Sequence, residues 1–419
     1  MGRHRARRPY RDPIGGPAAM KSLPLQGVRV LDLTSVIMGP YATQMLAEYG
    51  ADVIKLEPPE GDIMRQMGPA REAGMGPVFL NLNRGKRSLC LDLKAPASLP
   101  VLQSAVARSD VFITNMRARA LDRLGLGWDT LRACNPRLVY VYLSGFAEDG
   151  PDAGRPAYDD LIQGMCALPD LVARAGGGDP RYLPLNLADK TMGLFAAQTV
   201  LAALLQRGAD GPGQRIELPM YETMASFMLS DHLGAASFEP PLGPAGNPRL
   251  LSRYRRPYKT LDGWISTIVY TDRHWQAFLG LAGQPQLWDE DPRFRSMSSR
   301  TRHIDEVYAF VDEHMARRTT REWLALLNGA DIPAAEAPGL DTLVERLSQA
   351  GGLLQPYEDA DGGRYRGLAP TARWSATPPR AGGVAPRLGQ HNEEILRELA
   401  DQDSRNWARV IKEGKVKAD

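Results

Sequence analysis

Only three cysteines occur in 419 residues, and Cys90, Cys134 and Cys166 form no CxxC pair. An odd, scattered set argues against a disulfide framework and reads as a protein of a reducing, cytoplasmic compartment. Histidine is equally sparse: six residues with no HxxxH or Cys/His cluster, so no structural or catalytic metal is expected. No apolar run approaches the roughly 20 residues needed to span a bilayer, so no membrane partner is expected. No GxSxG elbow or activated-cysteine motif occurs either, which removes the commonest hydrolase readings. Charge of one sign is also missing. Lysine and arginine number 51 against 49 acidic residues, a balance of +2 that argues against a broad nucleic-acid face and in favour of a small ligand.

What is present is a chain longer than one hydrophobic core usually spans, which predicts two domains. Residues 1–22, beginning "MGRHRARRPYRDPIGGPAAM", are basic, rich in Gly and Pro and without the apolar stretch of a secretory signal; they are expected to be a disordered extension, with Met20 a second candidate start. Beyond them strands and helices alternate. "VRVLDL" (28–33) suits a strand covered on both faces. "GPYATQMLAEYG" supplies a turn, a helix and a glycine stop at Gly50, and "ADVIKLE" a second strand ending at Glu57. "RSLCLDL", "DVFIT" and "RLVYVYLSGF" continue the pattern. Such alternation predicts an α/β, doubly wound, Rossmann-like parallel sheet, with ligands beyond the strand C-termini and Asn115 at that edge. Two helical stretches, 159–168 and 190–207, follow a Gly/Asp/Pro-rich loop. "FEPPLGPAGNP" lies in a linker at 226–249, and a smaller α+β domain is expected at 250–339, opening with a strand pair about Asp262-Gly263. The large domain then comprises 23–225 and 340–419, with strand-rich and helical segments at the end and a last helix near Asn392.

Four groups of residues could carry chemistry. Asp189 stands between a polar lead-in and a long apolar run in "NLADKTMGLFAAQTVLAALL"; it reads as a helix N-cap, and as a carboxylate that the helix dipole keeps ionised for nucleophilic attack. Tyr158, Asp159 and Asp160 in "RPAYDDLIQG" read as a helix start or as carboxylates dividing acid and base roles. Arg253, Arg255, Arg256 and Lys259 in "RYRRPYK" read as a solvated surface or as a grip on a carboxylate or phosphate. Glu57 stands where a dinucleotide fold holds a ribose, but the preceding turn, "TSVIMGPYA", lacks the glycines that admit a pyrophosphate. His232 and His274 read as ordinary helix-face histidines.

The stretches "LQGVRVLDLTSVIMGPYATQMLAEYGADVIKLEPPEGD", "NRGKRSLCLDLK", "DVFITNMRARALDRLGLGWDTL", "AYDDLIQG", "ADKTMGLFAAQTVLAALLQR" and "APRLGQHNEEILREL" together resemble class III CoA-transferases, the family of formyl-CoA and carnitine-related CoA-transferases, from about residue 24 to 400. The resemblance implies that Asp189 forms an aspartyl anhydride with an acyl-CoA donor and then an aspartyl-CoA thioester, which a small carboxylic acid acceptor opens. It implies CoA binding by Lys94 and Arg123, with Val36, Leu91 and Asn115 lining the groove, and Asp159 close to the nucleophile. Arg255 and Arg256 from the basic cluster, and Tyr158 from the acidic stretch, are candidates for binding the acyl or acceptor group. Coenzyme A is then a substrate, no cofactor is tightly bound, and the assembly implied is an interlocked homodimer whose chains thread through each other. Ile37 replaces a glutamine of formyl-CoA transferase, and that enzyme's glycine-rich loop has no counterpart here, which points away from formyl chemistry. Two other readings stay open. The 2-methylacyl-CoA racemases resemble the chain as well, but they pair their aspartate with a histidine just before the position matching Asp159, and "GRPAYDD" has none. A non-catalytic acyl-CoA-binding protein is the third reading.

Overall fold

The structure is a computed structural model that describes residues 22–349, 352–359, 363–380 and 382–400. The basic extension up to residue 21 and the chain end from 401 lie outside the described residues. Six parallel strands form the main sheet: β1 (Arg29–Leu33), β2 (Asp52–Glu57), β3 (Arg87–Cys90), β4 (Val111–Thr114), β5 (Val139–Ser144) and β6 (Arg215–Pro219), in the order β3-β2-β1-β4-β5-β6. Every residue of β4 and β5 is buried, as the apolar runs of a doubly covered parallel sheet require. The sixth strand was not legible in the sequence. "RIELP" alternates charge with apolar residues and ends in proline, a pattern tolerated because β6 is an edge strand with Arg215 in solvent.

The strand order reverses between β1 and β4, so the loops leaving their C-terminal ends diverge and open a crevice there. One face of the sheet packs on the helices Met38–Glu48 and Leu187–Arg207, burying Ala42, Leu46, Met192, Ala196 and Val200 against Val30, Val53, Val111 and Val141. The other face packs on Ser98–Ala107, Trp128–Cys134 and the last helix, Asn392–Leu399. That helix returns the chain end to β3: Cys90 N–H donates to Asn392 Oδ1 at 2.8 Å, and Arg87 pairs with Glu394 and Glu398.

Small residues set how closely the first face packs. A Cβ at Gly193 would lie 2.8 Å from the Met38 carbonyl oxygen and 2.9 Å from Tyr41 Cδ1, so only glycine lets the Leu187–Arg207 helix approach the start of Met38–Glu48 this closely. That approach brings the Asp189 end of one helix to the loop after β1.

A separate core lies around an antiparallel sheet of β7 (Tyr258–Lys259), β8 (Trp264–Thr267) and β9 (Ala334–Glu336), ordered β7-β8-β9. Trp275, Phe278, Phe294 and Trp323 fill it. The turn at Asp262-Gly263 joins β7 to β8, and the Asp262 carboxylate accepts the Thr320 N–H at 2.7 Å. A further hairpin pairs β10 (Leu354–Glu358) with β11 (Arg364–Leu368). The helix expected at 159–168 is instead two, Asp159–Met165 and Leu168–Gly176, because Ala167 between them takes a left-handed conformation, φ 59°.

Candidate active site

Two cavities open at the C-terminal edge of the sheet, one on each side of the strand reversal. A cavity of about 840 Å³ is lined by Val36, Asn115, Gly145, Phe146, Tyr158 and Asp189. A second, of about 1030 Å³, is lined by Glu60, Asp92, Leu93, Lys94, Met116 and Arg123. Ser35 lines both. Its N–H donates to Asn115 Oδ1 at 3.1 Å, and Asn115 Nδ2 donates to the Ser35 carbonyl at 3.0 Å, so one amide ties the loops after β1 and β4 together between the two spaces.

Asp189 is 8% exposed and lies in the first turn of Leu187–Arg207. Contrary to the sequence reading it is not the N-cap; Asn186 holds that position, and its own side chain makes no capping bond. The free amide is met from elsewhere: Asp189 N–H donates to Asp159 Oδ1 at 2.9 Å, while Asp159 Oδ2 accepts from Gln163 Nε2 at 2.6 Å. Gln163 also bonds the lead-in to the helix, through the Leu183 N–H and the Leu185 carbonyl. The spacing of Asp159 and Gln163, four residues apart in a helix, was available as a signal for this pair.

The expectation that Asp189 remains ionised through the helix dipole is also corrected. Burial, together with the Asp159 charge, pushes its pKa up to about 7, and Lys190 offsets only part of this. Desolvation outweighs a dipole whose stabilisation is about 0.3–1 kcal/mol at exposed sites. Lys190 lies over the Tyr41 ring, 4.0 Å from its centroid, and its own pKa is lowered by burial. Sequence reasoning passed over Lys190 and Gln163 because neither belongs to a recognisable catalytic pattern alone.

A carboxylate must be ionised to attack, so kcat/KM is expected to rise with pH and level off above about pH 7. Asp159→Asn keeps an oxygen for the Asp189 N–H but removes the neighbouring charge. The acidic limb of the pH profile is therefore expected to move to lower pH, and an unmoved limb would show that Asp159 does not act on Asp189 through its charge.

The loop between the cavities is strained and held by buried charges. Val36 is at φ 71°, a conformation that branched side chains rarely take. Its N–H donates to both oxygens of Asp62, at 3.2 and 3.3 Å. Asp62 in turn accepts from Lys55 Nζ at 3.0 Å, and Lys55 also donates to the Thr34 carbonyl at 2.9 Å. Beneath them Asp32 accepts from the Thr34 N–H at 3.1 Å, the Thr43 hydroxyl at 2.6 Å and Lys86 Nζ at 3.1 Å. Glu57 is sealed by both nitrogens of an Arg65 fork at 2.7 Å and by Ser88, so it offers nothing to a ribose.

The other predicted residues separate. Lys94 and Arg123 line the second cavity. Leu91 does not: its side chain is fully buried in the core against Ser98–Ala107 and Asn392–Leu399, and Leu93 lines the cavity instead, because side chains two apart diverge once the strand ends at Cys90. Arg255 and Arg256 line a third cavity of about 290 Å³ with Arg249 and Tyr308, which shares no residue with the cavity of Asp189; Arg256 is paired with Asp312 at 2.9 Å. His232 and His274 each accept a backbone N–H, from Asn247 and Tyr270, and neither lines the Asp189 cavity. Among the described residues no cluster could hold a metal ion.

Comparison with known proteins covers nearly the whole chain. The model of CoA-transferase family III matches residues 25–392. The chain is 30% identical over 385 residues to a succinate–glutarate CoA-transferase of Agrobacterium fabrum, covering 90% of this chain and 96% of that one. It is 30% identical over 395 residues to a succinyl-CoA–D-citramalate CoA-transferase of Chloroflexus aurantiacus, covering 90% and 94%. Among solved structures, a CAIB/BAIF family protein from Brucella suis superposes with a TM-score of 0.75 at 29% identity, covering 91% and 100%. The Mycobacterium tuberculosis protein Rv3272 does so at 0.76 and 29%, covering 89% and 99%.

Proposed function

The chain belongs to CoA-transferase family III, and from that premise we propose that it moves CoA from an acyl-CoA donor to a carboxylic acid acceptor through covalent intermediates on Asp189. The observation that carries the reading is one carboxylate, Asp189, buried in a cavity that meets a second, cation-bearing cavity at Ser35. The second cavity takes the CoA nucleotide, with Lys94 and Arg123 on its phosphates. The pantetheine arm passes Ser35 and delivers the thioester to Asp189.

An Asp189 oxygen attacks the thioester carbonyl; the C–S bond breaks, leaving a mixed anhydride and the CoA thiolate. The thiolate attacks the aspartyl carbonyl, releases the donor acid and forms an aspartyl-CoA thioester. The acceptor carboxylate then attacks that thioester, giving a second anhydride and thiolate. Attack of the thiolate on the acceptor carbonyl yields the new acyl-CoA and restores Asp189. No proton is lost or gained across the cycle, and one difficult exchange becomes four easier ones. Asp159 acts by holding the Asp189 amide and by raising the carboxylate pKa, which strengthens it as a nucleophile once ionised. A racemase reading finds no support here, since no histidine lines the cavity among the described residues.

We also propose an interlocked homodimer. Its support is the apolar surface left on one chain: Leu205 is 83% and Leu242 74% exposed, and Leu194, Phe227 and Phe238 lie open near them in sequence. A monomer in light scattering at micromolar concentration would contradict it.

The chemistry is tested by mixing the protein with acyl-CoA donors, adding hydroxylamine and mapping the product by peptide mass spectrometry. A hydroxamate on the peptide containing Asp189 is expected; turnover without any such adduct would sink the covalent route. For the second cavity, Lys94→Ala and Arg123→Ala are each expected to raise KM for every CoA ester about tenfold, with kcat little changed. The check is steady-state kinetics with two donors differing only in the acyl group.

A further inference from the structure

The wall of the Asp189 cavity includes a residue whose backbone works against its side chain. Val36 stands at φ 71°, where a β-branched residue is crowded, so the conformation persists only while its surroundings hold it. The Asp62 side chain holds it: Val36 N–H donates to Asp62 Oδ1 at 3.2 Å and to Oδ2 at 3.3 Å. Asp62 belongs to the other cavity, which it lines together with Gly61 and Ile63. One carboxylate, on a residue only 3% exposed, therefore joins a wall of the nucleotide cavity to a wall of the reaction cavity.

Asp62 is itself fixed from several sides. Its N–H donates to Glu57 Oε1 at 3.1 Å, and Glu57 is clamped by the Arg65 fork. Oδ1 also accepts the Met64 N–H at 3.0 Å, and Oδ2 also accepts Lys55 Nζ at 3.0 Å. Each oxygen thus meets two donors. On the far side of the contact, Ser35 lines both cavities, and Val36 leads through Ile37 into the helix Met38–Glu48, whose first residue lines the cavity of Asp189. Any change of φ at Val36 turns these neighbours against each other. The geometry points to Asp62 as a positioning residue for the transfer reaction: it acts by holding Val36 left-handed, so that Ser35 and Met38 keep their places along the path of the thioester from the nucleotide cavity to Asp189. The inference rests on the transfer reading above and adds a residue to it.

Asp62→Asn is nearly isosteric, but whichever way its amide turns, an NH₂ group faces the Val36 N–H together with either Lys55 Nζ or the Met64 N–H. Glycine takes a positive φ without steric cost, so in a Val36→Gly background the hold matters less. The experiment is a double-mutant cycle on the full-length protein, with kcat, KM and the affinity for free CoA measured at each corner. Asp62→Asn is expected to lower kcat about tenfold beside valine and less than about threefold beside glycine, with CoA affinity kept within about twofold. An equal loss of kcat in both backgrounds overturns the proposal, because Asp62 then acts by another route. Weakened CoA binding with kcat unchanged also overturns it, by confining Asp62 to the nucleotide wall. Should Asp62→Asn fail to fold, Asp62→Ser takes its place with the same expectations: serine can still accept the Met64 N–H at the start of the short helix Ile63–Arg65 but lacks the second oxygen. Amide hydrogen exchange of the peptide containing Val36 gives a readout that needs no turnover, and it is expected to be about tenfold faster in Asp62→Asn. Unchanged exchange overturns the hold itself, whereas absence of transfer in the unsubstituted protein defeats the transfer reading.

Discussion

Asp189→Asn is expected to lower CoA transfer by about 10⁴-fold or more and to eliminate the hydroxamate adduct, while CoA-ester affinity stays within a few-fold of wild type. The reason is the division of labour in the site. Asp189 forms the bond, whereas the phosphates are held from the second cavity by Lys94 and Arg123. Near wild-type turnover in the variant would end the covalent reading. Stability supplies an independent check with the opposite sign. The folded-state pKa of Asp189, about 7, lies above its ordinary value of 3.8, so the fold favours the protonated form. The stability tied to that preference is fully present below about pH 4 and is lost as the pH rises through about 7. At pH 8 the wild type therefore carries a buried charge that asparagine does not. A gap of about three pKa units sets an upper bound of about 4 kcal/mol on the gain in Asp189→Asn at that pH, shrinking to nothing near pH 4. Denaturant unfolding at the two pH values measures it, and an inactive but stabilised variant would exclude misfolding as the cause of lost activity.

Asp32→Ala is expected to cost about 3–5 kcal/mol in unfolding free energy. Asp32, Lys55 and the Lys86 ammonium are fully buried beneath the loop between the cavities. Burial alone would raise the Asp32 pKa, yet Lys86, Lys55 and the Thr34 and Thr43 hydroxyls overcome that and hold it below the ordinary carboxylate range. Lys86 is pulled down to about 8 by its own burial, with Asp32 as its main offset. Removing the carboxylate takes the main counter-charge from that buried ammonium and leaves it the Pro40 carbonyl and Asn83 Oδ1 as neutral acceptors. The double variant Asp32→Leu/Lys86→Met is expected to recover much of the loss, because replacing both members by apolar groups removes the stranded charge. If the double variant is as unstable as the single one, the cost comes from the Thr34 and Thr43 bonds and not from the ion pair. Activity is expected to fall in both, since Asp32 accepts the Thr34 N–H at the root of the Ser35–Val36 wall.

Five of the six main strands were legible because parallel strands buried on both faces are continuous apolar runs, and β4 and β5 show this in pure form. The sixth, β6, was not, since an edge strand needs no such run. Among site residues, Asp189 stood out by its place before a long apolar helix, and Lys94, Arg123, Val36 and Asn115 by family likeness; Lys94 and Arg123 line the second cavity, whereas Val36 and Asn115, expected in the same groove, line the cavity of Asp189 instead. Leu91 was misassigned because likeness fixes a position in the chain and not the direction of its side chain. Arg255 and Arg256 were marked by their density of charge, which says nothing of which cavity they line.

Periodicity, composition and order along the chain were enough for five strands of the sheet, its connection helices, the family and the one carboxylate set before the apolar helix. What that carboxylate is depends on the tertiary structure. Its amide is bonded by a residue thirty positions earlier, its pKa is set by burial and by that same residue's charge, and the wall beside it is held by buried ions from β1, β2 and the loop before β3. Desolvation and Coulomb energies depend on distance in space, and distance in space between remote residues is what folding supplies.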